Sequence, residues 1–285
     1  MKLIYKIGIA ILLSAAIVAF AMPTKTKKGS KMDQIHVTFE TNFGAITVAL
    51  YNETPLHRNN FVKLAEEHYF DSLLFHRVID NFMIQAGDPD SKGAPAGKTL
   101  GMGGPGYTIP AEFNTKFIHK KGALAAARRG GPQNPKKESS GSQFYIVVGQ
   151  QVPMEQLDAM VAQKADQAKA EYIQTKLYEP ENKAYLNELI ELQKAGDRQN
   201  FMAKWQEFND RYKDSLTTVP TFSYTEEQKN TYSTIGGTPH LDMDYTVFGE
   251  VIQGLDVVDK IAKVATDRNN RPLEDVIITK VSVEK

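Results

Sequence analysis

Arg77 stands five residues before the apolar pair Phe82-Met83 and eight before a neutral amide, Gln85. Read as a strand, a turn at Asp80-Asn81 and a second strand, this stretch puts residues 83 and 85 on one face, because strand side chains alternate. A permanent cation beside an apolar slot is an odd pairing for a core, where an unpaired buried charge is costly. It suits a site that holds an apolar group and donates hydrogen bonds to it. An isolated arginine is more often a surface or structurally paired residue, so the company Arg77 keeps must decide.

That company extends downstream. Phe75-His76-Arg77 and Phe82-Met83-Ile84-Gln85-Ala86-Gly87-Asp88 are followed by the glycine loop Gly101-Met102-Gly103-Gly104-Pro105-Gly106. Then come Ser140-Gly141-Ser142-Gln143-Phe144-Tyr145-Ile146, and finally His240-Leu241-Asp242 with Tyr245-Thr246-Val247-Phe248-Gly249. Four blocks in this order resemble the cyclophilins, the peptidyl-prolyl cis/trans isomerases. The resemblance covers residues 33–150 and 237–285. It implies a mainly β fold, a closed eight-stranded antiparallel barrel capped by two helices.

An X-Pro bond turns slowly because amide resonance must be broken, a barrier of about 18–20 kcal/mol. At the twisted transition state the proline nitrogen regains its lone pair, so a donor placed there stabilises that state and not the planar one. The resemblance gives this role to Arg77, whose fork is rigid and permanently charged. No nucleophile or proton transfer is required. Gln85 orients Arg77 or binds the peptide backbone, and Gln143 shares that task. Phe82, Met83, Tyr145 and Leu241 form the proline pocket, with His240 and Tyr245 at its edge. The backbone at Ala127-Arg128 pairs with the peptide as an extended strand.

This chain departs from the family pattern at several of these positions. His240 stands where the family usually has Trp, which implies weak inhibition by cyclosporin. Tyr245 replaces the usual pocket His, and Tyr145 the second Phe of its block. The usual Ala-Asn-Ala becomes Ala127-Arg128-Arg129, followed by a longer basic loop through Lys136-Lys137 that reads as solvated.

Composition narrows the remaining classes. The 34 basic and 34 acidic residues cancel, so no global field favours nucleic acid or an anionic membrane. With no cysteine there is no disulfide scaffold, thiolate metal site or cysteine nucleophile. The six histidines lack metal-binding spacing, and Gly101–Gly106 lacks the Lys-Ser/Thr of a phosphate cradle. Neither cofactor nor metal is implied; the partners are unfolded or proline-containing polypeptides. No feature sets an oligomeric state.

Lys2 and Lys6 precede the apolar run Ile7 to Phe20, which ends in the small-x-small pattern Ala19-Phe20-Ala21. Residues 1–21 read as a signal peptide cleaved after Ala21, and residues 22–32 as a flexible leader, giving an exported, periplasmic protein. Without cleavage the same run would be a membrane anchor.

From Asp33 the pattern predicts a hairpin through Tyr51, with a turn at Asn42-Phe43-Gly44. A helix follows, with Thr54 as N-cap, Pro55 at its first position, and Phe61, Leu64, Ala65 and His68 inward. A second helix spans Leu255 to Val264, with Val258, Ile261 and Ala262 inward, and the last strand runs from Val276 to Val283. Residues 151–236 differ: Gly and Pro become scarce, and 14 acidic face 10 basic residues. They read as a helical insertion of three helices, broken at Pro180 and Gly196-Asp197. Phe201, Trp205, Phe208 and Tyr212 make an aromatic stripe on the third. Packed, that stripe is core. Exposed, it would make the insertion the client-binding arm of a proline-peptide-binding chaperone module, with turnover incidental.

Overall fold

The computed structural model describes residues 34–131 and 133–285, so the basic run and cleavage pattern of residues 1–21 and the leader lie outside the described residues. Strands β1 (His36–Thr41) and β2 (Gly44–Leu50) form the first hairpin, and helix α1 (Pro55–Glu66) follows. Next come β3 (Arg77–Ile79), β4 (Met83–Ala86), β5 (Thr108–Ile109), β6 (Ala123–Ala126), β7 (Ser139–Ser140) and β8 (Phe144–Val147). Helices α2 (Met154–Leu177), α3 (Lys183–Lys194), α4 (Arg198–Arg211) and α5 (Glu226–Thr234) precede β9 (Val247–Gln253), α6 (Leu255–Ala262) and β10 (Ile278–Glu284).

Eight strands form one antiparallel sheet in the order β10-β1-β2-β9-β6-β8-β4-β3, while β5 and β7 pair separately. The expected closed barrel is therefore corrected to an open sheet. Among the described residues no ladder joins β3 to β10; the segment before β3 meets the start of β10 through a bridge between Leu74 and Ile277. That bridge is flanked by bonds from Ser72 N–H to the Ile278 carbonyl at 2.7 Å, Ile278 N–H to the Leu73 carbonyl at 2.8 Å and Phe75 N–H to the Val276 carbonyl at 2.9 Å. The reason is local. β3 is three residues long, and its outer side is taken by the loop before β10, where the Val78 N–H donates to the Asn270 carbonyl at 2.8 Å.

Period-two alternation gives the central strands two different faces. Ile84, Ala86, Leu124, Ala126, Phe144 and Ile146 point into the main core with α1 and α6, which contribute Phe61, Leu64, Ala65, Val257, Val258, Ile261 and Ala262. Burying one such large side chain is worth roughly 1.5–3 kcal/mol. Met83, Ala123, Ala125, Tyr145 and Val147 point the other way, into a smaller cluster against which Phe82, Leu241 and Tyr245 pack.

Thr54 holds the N-cap position of α1 and Pro55 the first helical position, as expected, but the cap bond and His68 differ from expectation. Thr54 makes no side-chain cap; its hydroxyl donates to the Tyr51 carbonyl instead, at 3.4 Å. The distant Glu112 accepts the Leu56 and His57 N–H groups, at 3.0 and 2.9 Å, and bonds the His57 ring at 2.7 Å. His68 is not inward either: it lies beyond the helix, at φ 56°, with an exposed side chain.

Residues 151–236 contain a fourth long helix, α5, opened by a capping box between Thr225 and Gln228. Phe208 is fully buried, and Phe201, Trp205 and Tyr212 pack with it against Tyr172 of α2 and Tyr185, Leu186 and Leu189 of α3. The stripe is thus occupied by its neighbouring helices.

Candidate active site

Strand pairing builds the site as a row. Arg77 on β3 is in register with Gln85 on β4, Gln85 with Tyr145 on β8, and Tyr145 with Ala125 on β6. All four share one face because register places residues of the same phase side by side. The Arg77 Nη1 donates to Gln85 Oε1 at 3.2 Å, the Gln85 Nε2 to Gln143 Oε1 at 2.9 Å, and the Gln143 Nε2 to the Gly103 carbonyl at 2.8 Å. A half-buried guanidinium is thereby tethered at one corner, and among the described residues its remaining N–H groups make no hydrogen bond. Partial burial lowers the Arg77 pKa from its very high ordinary value, which still leaves the group charged.

The cleft beside it holds about 320 Å³ and is lined by Arg77, Phe82, Met83, Gln85, Ala127, Arg128, Tyr145, Leu241 and Tyr245, with Leu100 and Gly101 closing another side. Phe82 lies 5.8 Å from the Arg77 guanidinium carbon. Tyr245 meets the Tyr145 ring edge to face at 5.9 Å. Arg128 lies over Tyr245 at 4.6 Å, and its Nε donates to the Asp244 carbonyl at 2.6 Å.

Two of the residues singled out in the sequence stand outside this cleft. Gln143 lines the adjoining groove along Gly103, Gly104 and Arg129. His240, itself exposed, stacks on the Phe82 ring at 5.6 Å. At Ala127 the N–H donates to the Gln143 carbonyl at 2.9 Å, and the carbonyl accepts from Ser140 N–H at 2.7 Å. Among the described residues the Arg128 N–H has no such bond, so the strand-like edge narrows to Arg128. Lys137 is not simply solvated: it and Lys164 of α2 both pair with the Asp244 carboxylate at 2.7 Å.

The glycine loop wraps the buried Asp88 carboxylate, which accepts the Gly101 N–H and the Asp90 N–H. A Cβ at Gly103 would collide with that carboxylate, which is why the loop tolerates no side chain there. His76, beside Arg77, is buried, and burial pulls its pKa down to about 4 against the opposing pull of Asp88.

Sequence reading missed a polar chain behind the pocket. The Tyr145 hydroxyl lies 2.9 Å from His119 Nε2, and His119 Nδ1 lies 2.7 Å from Asp242 Oδ1. Asp242 also accepts from the Tyr224 and Tyr232 hydroxyls, at 2.7 and 2.6 Å. Asp242 was visible as part of the His240-Leu241-Asp242 block. Nothing local marks His119, Tyr224 or Tyr232.

The open antiparallel sheet thus carries helices on one face and a cation-rimmed apolar cleft on the other. The family model described as cyclophilin type peptidyl-prolyl cis-trans isomerase/CLD matches residues 36–169 and 190–283. A Staphylococcus aureus (strain USA300) protein named for a peptidyl-prolyl cis-trans isomerase is 29% identical over 262 residues, 90% of this chain and 96% of that one. A Streptococcus pyogenes serotype M6 protein named for a bifunctional phosphatase/peptidyl-prolyl cis-trans isomerase is 31% identical over 253 residues. The match covers 87% of this chain but only 38% of that relative. Among solved structures, a Cryptosporidium parvum cyclophilin type peptidyl-prolyl cis-trans isomerase has the same fold, with TM-score 0.50 at 17% identity over 88% of this chain and 98% of its own. The chain belongs to the cyclophilin-type peptidyl-prolyl cis-trans isomerase family.

Proposed function

We propose that this protein accelerates X-Pro isomerisation by holding the proline ring in the slot of Phe82, Met83, Tyr145 and Leu241 while Arg77 donates to the imide nitrogen. The observation that carries the reading is the tether: Gln85 fixes one Nη of a guanidinium at the rim of an apolar cleft. A donor already in place when the nitrogen pyramidalises costs no reorganisation at that moment. A rate gain of a thousand- to ten-thousandfold asks for about 4–5.5 kcal/mol. One such donor supplies roughly 3–4 kcal/mol in other enzymes, and exclusion of water by the apolar walls adds to it.

The substrates in this reading are proline-containing segments of unfolded chains, lying extended along Arg128. The signal-peptide pattern of residues 1–21 supports a role among exported proteins, in the periplasm. The helices between β8 and β9 form an insertion within the cyclophilin-like domain. Refolding of a protein limited by a proline step tests the central claim. The full chain should speed the slow phase, and Arg77→Ala should remove most of that effect while peptide binding survives. Acceleration by the Arg77→Ala variant equal to wild type would refute it.

A further inference from the structure

The buried chain from Tyr145 to Tyr232 touches no reacting atom, yet it ends in three walls of the proline slot. Its members are almost wholly enclosed: His119 and Tyr232 at 0% exposure, Asp242 at 2% and Tyr145 at 4%. Proton positions follow from the partners. A carboxylate only accepts, so His119 Nδ1 carries the hydrogen given to Asp242 Oδ1, joined there by the His119 backbone N–H at 2.8 Å. Nε2 of the same ring is hydrogen-bonded to the Tyr145 hydroxyl at 2.9 Å. His119 thereby holds the end of the ring that carries the hydroxyl hydrogen. Burial pushes the Tyr145 pKa well up, with Tyr245 and Asp242 adding to the shift, so that hydrogen stays in place.

Asp242 also continues directly from Leu241. The Leu241 N–H is bound by the Thr238 carbonyl at 3.0 Å, and the Leu241 carbonyl receives the Tyr245 N–H at 3.2 Å. Fixing the Asp242 carboxylate therefore fixes the turn that presents Leu241 and Tyr245, while His119 fixes Tyr145. Two of the four donors on that carboxylate come from the α5 region: Tyr232 on α5 and Tyr224 just before it.

We infer that Tyr224 and Tyr232 are positioning residues for the proline pocket, acting through Asp242 and His119 to preset the separation of Tyr145, Leu241 and Tyr245. The inference rests on the proline-slot reading above. The slot grips the proline ring equally in the planar and twisted states, so loosening it weakens uniform binding: KM rises and kcat stays.

The test is steady-state and NMR exchange kinetics of the full chain on a tetrapeptide with an internal Ala-Pro bond. The Tyr224→Phe/Tyr232→Phe variant keeps both rings and removes both hydroxyls. Its KM should rise about fivefold or more, since side chains must then be ordered on binding, with kcat within twofold. Tyr145→Phe should raise KM in the same direction, and the combined triple variant should be far less than multiplicative, because all three changes cut one chain. Loss of folded protein lowers apparent kcat and leaves KM alone, so a merely structural role would show unchanged KM; that result overturns the inference, as does independent multiplication of the effects. Should the double variant fail to fold, Tyr224→Phe alone carries the same expectation of a raised KM. Absence of turnover by the wild-type chain would instead overturn the isomerase reading itself.

Discussion

Lysine in place of Arg77 separates charge from geometry. In the native site one Nη is held by Gln85 at 3.2 Å, across a strand pair that puts the two residues in register. The fork can keep that bond and still aim another N–H into the slot, whereas an ammonium is a single point of charge on a flexible stem. If it bonds Gln85, its aim at the imide nitrogen is poor; if it aims at the nitrogen, Gln85 loses its partner. Loss of a whole transition-state donor costs about 2.7–4 kcal/mol, or 10²–10³ in kcat, and this sets the floor that Arg77→Ala should reach. Arg77→Lys, retaining charge but not the fork, should lose about 10- to 100-fold, near 1.4–2.7 kcal/mol. Protease-free NMR exchange on an Ala-Pro peptide measures kcat directly, and KM should move by less than about threefold because the apolar walls are untouched. A pH signature accompanies the loss. Burial depresses the Arg77 pKa, and it would depress a lysine there from a lower starting value, so the lysine enzyme should lose further activity as pH rises into the alkaline range. Wild type should show no such fall. A lysine variant within threefold of wild type would show that the fork is unused and that net positive charge alone carries the rate.

Three other outcomes follow from the structure. Glu112→Ala removes the acceptor for the Leu56 and His57 N–H groups and the partner of the buried His57 ring, and should cost about 2–3 kcal/mol in denaturant unfolding. Thr54→Ala should cost less than the ~1 kcal/mol of a usual N-cap loss, because its hydroxyl does not cap α1. His76 is held neutral in the fold, with its pKa lowered from 6.5 to about 4 by burial. The unfolded chain therefore takes up a proton first as pH falls, and stability should drop by about 3 kcal/mol between those two values. The His76→Gln variant should show a shallower loss over the same window, and an identical pH–stability curve for the two proteins would count against a buried neutral histidine.

Much of the site was legible because its parts are short and periodic. Met83 and Gln85, two residues apart on one strand, had to share a face, and the spacing of Arg77 fits the other arm of a hairpin. Phe61, Leu64, Ala65, Val258, Ile261 and Ala262 announced themselves by helical spacing. Closure of the sheet was different. It turns on how far β3 extends, and the loop that occupies its edge is supplied by residues near Asn270, almost two hundred positions away. A shorter separation, 56 residues between Leu56 and Glu112, still hid the capping of α1, where sequence offered the adjacent Thr54 and the fold used Glu112.

What residues 75–88 and the later blocks determined unaided was the chemistry on offer: a guanidinium, an amide and an apolar slot, with no nucleophile among them. Alternation along a strand is set by bonds between neighbours, so it can be read from a string of letters. Only the tertiary structure decided which groups hold those walls in place. Tyr224, Tyr232 and His119 carry no local mark, and folding brings the polar atom of each within 3 Å of Asp242. A buried hydrogen-bond chain obeys distance in space, which residue spacing does not encode.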